Sequence, residues 1–309
     1  MFQGLEKNIV EVVDKVLPCV VSVSTTVMHQ VDLYKVQPIQ GQGSGVIFDE
    51  DGLIVTNAHV VKNATKVEVQ LHKGKKLEAK VLGKMKGQDI AFLQVEKDSN
   101  LVAIKFGESS NLKVGQFALA IGNPLGLGES VTFGMVSALN RTIAAGNVRL
   151  EGLIQTTADI NPGNSGGALV NTNGELIGIN SAVIQNTQGL GFAIAIDTVK
   201  DVIEEFRETR TISSPWLGVV GYTIDRKLAT YYRLPVDKGT LLLDVPKGPA
   251  GKAGLIKGDI IIAMDNEEVN SVQILTQKVL KRRVGQEVTI TYYRKGKKYD
   301  LKVTLGKAP

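Results

Sequence analysis

The heptapeptide Asn161–Pro162–Gly163–Asn164–Ser165–Gly166–Gly167 is the stretch that decides how the rest of the chain is interpreted. A serine that attacks a carbonyl carbon needs an exposed hydroxyl beside backbone N–H groups that receive the oxyanion. Glycines on both sides of a serine permit an unusual turn and a close approach of substrate. We therefore predict a nucleophilic Ser165 and an oxyanion hole at Gly163, Asn164 and Ser165. A plain Gly/Asn turn between two strands is the alternative for this segment taken alone.

The base for such a serine is nearly fixed by the small number of histidines, which is three. His29 and His72 lie in polar stretches that we expect to be exposed. His59 follows an apolar strand and precedes Val60 and Val61, which predicts a partly buried ring. A structural histidine is the alternative if His59 is considered by itself.

A carboxylate is the third group that the chemistry requires, because it holds the imidazole tautomer and stabilises the imidazolium. Between His59 and Ser165, Asp89 is the acid that directly opens a long apolar run, Ile90–Leu93. A turn residue is the alternative. The order His, Asp, Ser along the chain is that of the chymotrypsin arrangement.

The composition bounds the remaining function classes. The chain has 309 residues, 43% of them hydrophobic and 22% charged, which is enough for a sizeable core and about two domains. The net charge of +5 comes partly from basic runs at 281–283 and 294–298, which we interpret as solvated surface. A nucleic-acid interface is disfavoured because aromatic residues are sparse around these runs.

Cofactors and membrane spans are not predicted. The spacing of Gly41–Gln42–Gly43–Ser44–Gly45 is not that of a dinucleotide fingerprint, and the segment leads into a strand. Paired histidines for a metal are lacking. The single cysteine, Cys19, lies in an apolar run and is expected to be a buried, inert thiol. No apolar run is long enough to span a bilayer and no signal peptide is visible, so an intracellular chain and one that has lost an anchor both stay open.

Short β-rich runs separated by Gly, Asn, Asp and Lys predict a mainly β first domain (1–210). A linker (211–215) and a small α+β second domain (216–309) are predicted to follow. Helices are predicted at 5–17, ending before Pro18, and at 197–208, capped by Asp197, with shorter ones near 226–232 and 271–282. The predicted strands are 20–26, 45–48, 53–56, 66–71, 76–83, 90–95, 117–121, 130–139, 154–157, 167–170, 176–182, 190–193, 217–220, 239–245, 259–264, 287–293 and 298–305.

The His59, Asp89 and Ser165 segments, taken in order, resemble the HtrA (DegP/DegS/DegQ-like) family of trypsin-fold serine proteases. Three more segments add to the resemblance, which covers almost the whole chain. They are Gly43–Ser44–Gly45–Val46–Ile47, Ala120–Ile121–Gly122–Asn123–Pro124–Leu125–Gly126 and Gly191–Phe192–Ala193–Ile194.

This resemblance implies a double β-barrel that cleaves unfolded or misfolded proteins without ATP. It implies that Ser165 is the nucleophile, His59 the general base and acid, and Asp89 the orienting carboxylate. The segments Arg141–Glu151 and Ser181–Gly189 would be mobile loops that order the site. The family also suggests a homotrimer or larger homo-oligomer and an extracytoplasmic location, and the short 27–40 connection lacks the long regulatory insert of DegP-like proteins.

The chain departs from the family just before the serine. Where the family usually has T-D-A-A-I-N-P, this sequence has Thr156–Thr157–Ala158–Asp159–Ile160–Asn161–Pro162, so the acid lies six residues before Ser165. We expect an apolar specificity pocket that prefers small aliphatic residues; a pocket in which Asp159 admits basic side chains is the alternative. The predicted pocket residues are Asp159, Ile160, Asn161, Gly191, Phe192 and Ala193.

The C-terminal part resembles one PDZ domain of the permuted bacterial type, on the segments Trp216–Leu217–Gly218–Val219 and Gly248–Ile261. In that fold a peptide adds as a strand and its terminal carboxylate sits on backbone N–H groups. Trp216, Leu217, Gly218 and Val219 would form that loop, with Ile274 and Leu275 on the facing helix; core positions for Leu217 and Val219 are the alternative. The sequence leaves two functions open: a gated serine endopeptidase, with or without chaperone activity, or a catalytically silent peptide-binding chaperone or scaffold.

Overall fold

The computed structural model describes residues 2–30, 36–85, 87–123, 128–145, 148–161, 163–181, 190–209 and 214–308. The chain divides into two compact units, Met1–Ala145 with Leu150–Ile212, and Gly146–Arg149 with Ser213–Pro309. Within the described ranges, no helix is both long and apolar enough to cross a bilayer.

The first unit opens with helix α1 (Phe2–Val16), which starts three residues earlier than predicted. A 3-10 turn, Leu17–Cys19, follows at Pro18, where a proline stops an α-helix. The predicted burial of Cys19 is confirmed, since the residue is 4% exposed. Burial raises the pKa of its thiol from 9.0 to about 11, so the reactive thiolate is scarce at neutral pH.

Seven strands form the first sheet, and their order is β5-β4-β1-β2-β3-β7-β6. The strand predicted over 76–83 is divided at Ala79, whose N–H donates to the Val67 carbonyl oxygen at 3.0 Å. The half before Ala79 pairs with β4 and the half after it pairs with β7, so the two ends of the order are joined and the sheet curls into a barrel. The strands are β1 (Val20–Gln30), β2 (Val36–Asp49), β3 (Leu53–Asn57), β4 (Lys66–Gln70), β5 (Lys76–Glu78), β6 (Lys80–Met85) and β7 (Ile90–Gln94).

Six strands close the second barrel in the order β10-β13-β12-β11-β8-β9, and helix α2 (Ile196–Thr209) follows it. The prediction of a loop over Arg141–Glu151 is wrong, because β9 and β10 leave only residues 146–147 between them. The predicted loop at 182–189 lies outside the described residues. The strands are β8 (Phe117–Gly122), β9 (Ser130–Ala145), β10 (Val148–Thr156), β11 (Ala168–Val170), β12 (Leu176–Asn180) and β13 (Gly191–Ala195).

The predicted cap of the helix that follows this barrel is also corrected. The helix begins at Ile196, so Asp197 lies in its first turn rather than at the cap. The Asp197 carboxylate accepts a hydrogen bond of 2.7 Å from the Ser110 N–H, in another segment of the chain. This carboxylate therefore ties the helix start to the segment that precedes β8.

The second unit is a small α+β fold whose main sheet has the order β15-β16-β17-β19-β20, with β18 paired to β17 and β14 paired to β21. The strand predicted over 217–220 is wrong, because Gly218 has a φ of +82°, outside the β region. The elements are β14 (Pro215–Trp216), β15 (Val220–Ile224), α3 (Arg226–Tyr232), β16 (Gly239–Asp244), α4 (Pro249–Ala253), β17 (Ile260–Met264), β18 (Glu267–Glu268), α5 (Val272–Leu280), β19 (Glu287–Arg294), β20 (Lys297–Thr304) and β21 (Gly306–Lys307).

An ion pair between a buried carboxylate and a half-buried guanidinium holds the turn between α4 and β17 of this unit. Asp259 is fully buried and accepts two hydrogen bonds of 2.7 Å, from Nε and Nη2 of Arg294. Its carboxylate also accepts the Ile256 N–H at 2.9 Å. Removal of the carboxylate leaves Nε of Arg294 and the Ile256 N–H without their acceptor, while Nη2 keeps the Gly254 carbonyl oxygen at 2.8 Å.

We expect Asp259→Ala to lower the free energy of unfolding of the second unit by about 2 kcal/mol, because two donors, Nε of Arg294 and the Ile256 N–H, lose a buried charged acceptor. Trp216 is the one tryptophan of the chain, so urea unfolding followed by its fluorescence reports on this unit in the full chain. Glu287→Ala, which removes the exposed pair with Lys302, is the control and should cost less than about 0.5 kcal/mol. Equal losses in the two variants would contradict the role given to Asp259.

Candidate active site

His59 and Asp89 are brought together by two neighbouring strands. Asn57, the last residue of β3, is the register partner of Ile90, the first residue of β7, so the residues just outside these strands adjoin. His59 Nδ1 lies 2.7 Å from Asp89 Oδ2, and the His59 N–H donates to Oδ1 at 3.0 Å. Because a carboxylate only accepts, the proton of the neutral ring is on Nδ1 and the lone pair is on Nε2. That is the tautomer a general base needs.

The Asp89 backbone is held in the left-handed conformation, with a φ of +56°. Aspartate tolerates this region better than most residues. The Asp89 carbonyl oxygen accepts two hydrogen bonds of 3.1 Å, from the Ala58 N–H and the Asn57 side-chain amide. The conformation therefore turns the carboxylate toward His59 and keeps the carbonyl satisfied.

Sequence reasoning missed Ser181 as a contact of this pair. Ser181 is buried, and its hydroxyl donates to Asp89 Oδ2 at 3.3 Å. The same oxygen therefore receives His59 Nδ1 and a hydroxyl. The signal that could have found Ser181 is its position directly after β12, whose last residue, Asn180, is hydrogen-bonded to the glycines that follow Ser165. The prediction had placed Ser181 at the start of a mobile loop.

Ser165 lies in a loop that is closed by backbone hydrogen bonds. The Asn164 N–H donates to the Asn161 carbonyl oxygen at 3.0 Å, and the Gly167 N–H donates to the Asn164 carbonyl oxygen at 2.9 Å. The two ends of a trans peptide point in opposite directions. Since the Asn164 carbonyl points to Gly167, the Ser165 N–H points away from it.

Two glycines of the loop have backbones that other residues rarely adopt, with a φ of +110° at Gly163 and +83° at Gly166. A Cβ at Gly166 would lie 2.2 Å from the Ser44 carbonyl oxygen and 2.4 Å from Thr56 Oγ1. The requirement for glycine beside the serine is thus both conformational and steric.

The histidine and serine segments pack on the same part of β2. A Cβ added at Gly43 would lie 2.8 Å from both Cγ atoms of Val60, the residue after His59, and 3.1 Å from the Ser165 carbonyl oxygen. The His59 side chain is 40% exposed, as the predicted partly buried ring requires. Ser165 as a residue is only 5% exposed, so the exposed serine expected from the sequence is not found. The structure therefore brings the three predicted segments into one region.

The predicted specificity-pocket residues lie on β13 and just after β10. Gly191 pairs with Thr156, and a Cβ at Gly191 would lie 2.6 Å from the Ala158 carbonyl oxygen and 3.1 Å from Ile160 Cγ1. Glycine is therefore required at position 191, because the strand passes too close to Ala158 and Ile160 for a side chain. The others differ in exposure: Asp159 and Asn161 are exposed, Phe192 is half-buried and Ala193 is buried in the barrel core.

The other two histidines differ in exposure. His29 is exposed as expected, whereas His72 is half-buried, with Nδ1 2.7 Å from Glu129 Oε1. Among the residues that the structure describes, no group of three or more His, Cys, Asp or Glu side chains could hold a metal ion.

The predicted carboxylate loop of the second unit lies between β14 and β15. The Leu217 carbonyl oxygen accepts the Ala250 N–H at 2.9 Å, and a Cβ at Gly248 would lie 2.7 Å from the Trp216 ring. Leu217 is packed in the core, as the alternative interpretation had it, while Val219 is half-buried. Among the residues that the structure describes, β15 is an edge strand of its sheet and pairs with a strand on one side only. On α5, Leu275 is buried in the core and Ile274 is half-buried.

Comparison of the whole chain with known proteins shows its family. A solved structure of the HtrA-type protease AlgW with a decapeptide is 34% identical and superposes with a TM-score of 0.70, and the alignment covers 97% of this chain and 98% of that one. The chain belongs to the HtrA-type proteases. Its residues 43–179 match the trypsin-like peptidase domain model and residues 232–305 match the PDZ domain model.

Curated HtrA-type relatives agree with this assignment. The periplasmic serine endoprotease DegP of Escherichia coli is 42% identical over 275 residues, and the probable periplasmic serine protease do/HhoA-like of Haemophilus influenzae is 43% identical over 271 residues. The matches take in 87% and 86% of this chain but 58% of each relative. The chain thus spans little more than half the length of the curated relatives it matches. The predicted family, the trypsin-like fold and the PDZ fold are confirmed.

We expect Gly166→Ala to destabilise the first unit by about 3 kcal/mol or more, because the added Cβ strains the backbone and overlaps the Ser44 carbonyl oxygen. Gly115→Ala is the matched control: Gly115 has a φ of +95° but no atom within 4 Å of the added Cβ, so only the conformational cost of about 1 kcal/mol applies. Calorimetry of the full chain measures both, with the second unit's transition identified by Trp216 fluorescence. A loss at Gly166 no larger than at Gly115 would contradict the steric argument.

Proposed function

We propose that the chain is a serine endopeptidase, with Ser165 as nucleophile, His59 as general base and acid, and Asp89 as the carboxylate that orients the imidazole. The observation that carries the proposal is the 2.7 Å contact between His59 Nδ1 and Asp89 Oδ2, made beside a glycine-lined serine loop. The family of the chain supports it, because relatives are named as serine endoproteases.

The reaction follows from the groups in place. Ser165 Oγ attacks the scissile carbonyl carbon while His59 Nε2 takes the hydroxyl proton. The imidazolium that forms is stabilised by Asp89, whose second oxygen is fixed by the His59 N–H. The carbonyl oxygen becomes an oxyanion that the N–H groups of Gly163 and Ser165 receive. His59 then gives the proton to the leaving amine. In the second half of the reaction His59 takes a proton from the attacking water and returns it to Ser165 Oγ, which releases the acid product.

The substrate class that fits is an extended, unfolded polypeptide with a small aliphatic residue before the cut. Half-buried Ile160 and the close approach of Gly191 to the Ala158 carbonyl oxygen favour a small apolar residue over a basic one. The alternative basic preference would rest on Asp159, whose side chain is exposed. The relatives are periplasmic proteases, which supports an extracytoplasmic location, and the family resemblance supports a homotrimer or larger assembly.

For the second unit we propose capture of peptide C-termini. A peptide would pair with the open edge of β15, and its carboxylate would lie on the N–H groups of residues 217–219. The bend at Gly218 supports this, because a backbone in this conformation can turn successive N–H groups toward an anion. Occupancy of this site would gate the protease, and a chaperone role for the whole molecule belongs to the same proposal.

The endopeptidase assignment predicts that the wild-type chain cuts casein and that a fluorophosphonate labels Ser165, while Ser165→Ala does neither. Asp89→Asn should lower kcat about 10⁴-fold, because the imidazole loses the carboxylate that holds its tautomer. Both are measured in steady-state assays and by mass spectrometry of the labelled peptide.

A matched control is His72→Gln, which removes another histidine–carboxylate pair of 2.7 Å and should leave kcat unchanged. A wild type that neither cuts nor labels at any temperature would favour the catalytically silent chaperone. Equal loss in Asp89→Asn and His72→Gln would point to general damage instead of a defined triad.

The C-terminus proposal predicts that a fluorescent decapeptide ending in a free carboxylate binds the full chain at least about tenfold more tightly than its amide, because hydrogen bonds to the charged group are lost. Fluorescence anisotropy measures both. Gly218→Ala should lower the affinity for the free-acid peptide, because a residue with a side chain rarely adopts the φ of +82° found there. Gly258→Ala, at a φ of +92° with no atom within 4 Å of the added Cβ, is the control. Equal affinity for acid and amide would refute the proposal.

A further inference from the structure

We propose that Ser44 is a positioning residue whose hydroxyl holds the oxyanion loop in its working conformation. The inference rests on the proposed peptidase function and adds a residue to it. Ser44 contributes to the family resemblance only as a member of the glycine-flanked segment 43–47. That resemblance assigns no role to its hydroxyl.

The Ser44 side chain is completely buried and uses its hydroxyl twice. Its Oγ donates to the Gly163 carbonyl oxygen at 2.6 Å and accepts the Asn123 N–H at 2.9 Å. A hydroxyl that donates to one partner and accepts from another has a fixed rotor. The carbonyl of Gly163 is therefore tied through Ser44 to the end of β8.

The Ser44 backbone holds the other side of the nucleophile. Its N–H donates to the Ser165 carbonyl oxygen at 2.7 Å, and its carbonyl oxygen accepts Thr56 Oγ1 at 2.7 Å. One residue of β2 thus fixes the carbonyl two residues before Ser165 and the carbonyl of Ser165 itself. The peptide between Asn164 and Ser165, which carries one oxyanion donor, lies between these two anchors.

The side-chain anchor matters because its partner is a glycine. Gly163 has a φ of +110°, and glycine passes between conformations that are closed to other residues. Without the hydroxyl, the carbonyl of Gly163 loses a buried donor and the peptide planes around this glycine gain freedom to rotate. Rotation moves the Gly163 N–H away from the oxyanion, since the N–H is aimed by the same φ and ψ. The backbone bond from Ser44 to Ser165 does not prevent this, because it acts on a different peptide.

The choice of serine also follows from the space around it. A Cβ at Gly122 would lie 2.9 Å from Ser44 Oγ and 2.7 Å from the Asn164 Cα, so β8 approaches the hydroxyl and the loop closely. A larger side chain at position 44 would push against this strand. Alanine would fit but could not donate.

The test compares Ser44→Ala with Ser22→Ala in the full chain. Ser22 is the register partner of Ser44 on β1 and is also buried, so it is a matched deletion of one buried hydroxyl. We expect Ser44→Ala to lower kcat and the rate of fluorophosphonate labelling at least about tenfold, while KM stays within about twofold. Ser22→Ala should keep wild-type values of all three. Ser44→Gly, which also removes the hydroxyl and adds no atom to the tight space beside β8, should lose kcat and labelling at least as much as Ser44→Ala, and it replaces Ser44→Ala if that variant does not fold.

Wild-type kcat and labelling in Ser44→Ala would overturn the inference while leaving the peptidase assignment intact. A rise in KM with kcat unchanged, or equal losses in Ser44→Ala and Ser22→Ala, would also overturn it, because either result indicates general disturbance of the barrel. A wild type that neither cuts nor labels would end the peptidase assignment first, and the catalytic role of Ser44 with it.

Discussion

The hydrogen bond of 2.7 Å from the Ser44 N–H to the Ser165 carbonyl oxygen joins a strand of the first barrel to the serine loop of the second. Each barrel contributes what the other lacks. The first holds His59 and Asp89 at the adjoining ends of β3 and β7, and the second holds the loop with its two left-handed glycines. A nucleophile and a base on separate sheets can react only if the distance between them is fixed. The buried contacts around Ser44 hold the two sheets together at this point.

Conformational strain near the site is offset by hydrogen bonds that surround it. Asp89 adopts a left-handed backbone, which costs of the order of 1 kcal/mol or more for a residue with a side chain. Its two carboxylate oxygens accept from His59 and Ser181, and its carbonyl accepts from Ala58 and Asn57. These contacts over-determine the conformation, which is the condition under which strained residues persist at functional sites.

Local patterns in the sequence were enough to predict the components, and long-range packing explains what they missed. The glycines around Ser165 and the apolar run after Asp89 carry their own physical reasons, so these segments could be chosen from residues alone. Ser181 and Ser44 could not, because a serine after one strand or inside another becomes relevant only when pairing places it beside Asp89 or Gly163. The bend at Ala79 was missed for the same reason: the residues favour a strand, and only the pairing with β4 and β7 divides it. The loop expected at Arg141–Glu151 came from family resemblance, and strand pairing in this chain replaces it.

The most direct test of this account is a crystal structure of the chain after phosphonylation of Ser165, since the phosphonyl oxygen stands in for the oxyanion. We predict a bond from Ser165 Oγ to phosphorus, with the phosphonyl oxygen about 3 Å from the N–H groups of Gly163 and Ser165. The Gly163 carbonyl oxygen should still accept the hydrogen bond from Ser44 Oγ. An adduct whose oxygen faces solvent, or an imidazole of His59 turned to a surface that the adduct does not share, would contradict it.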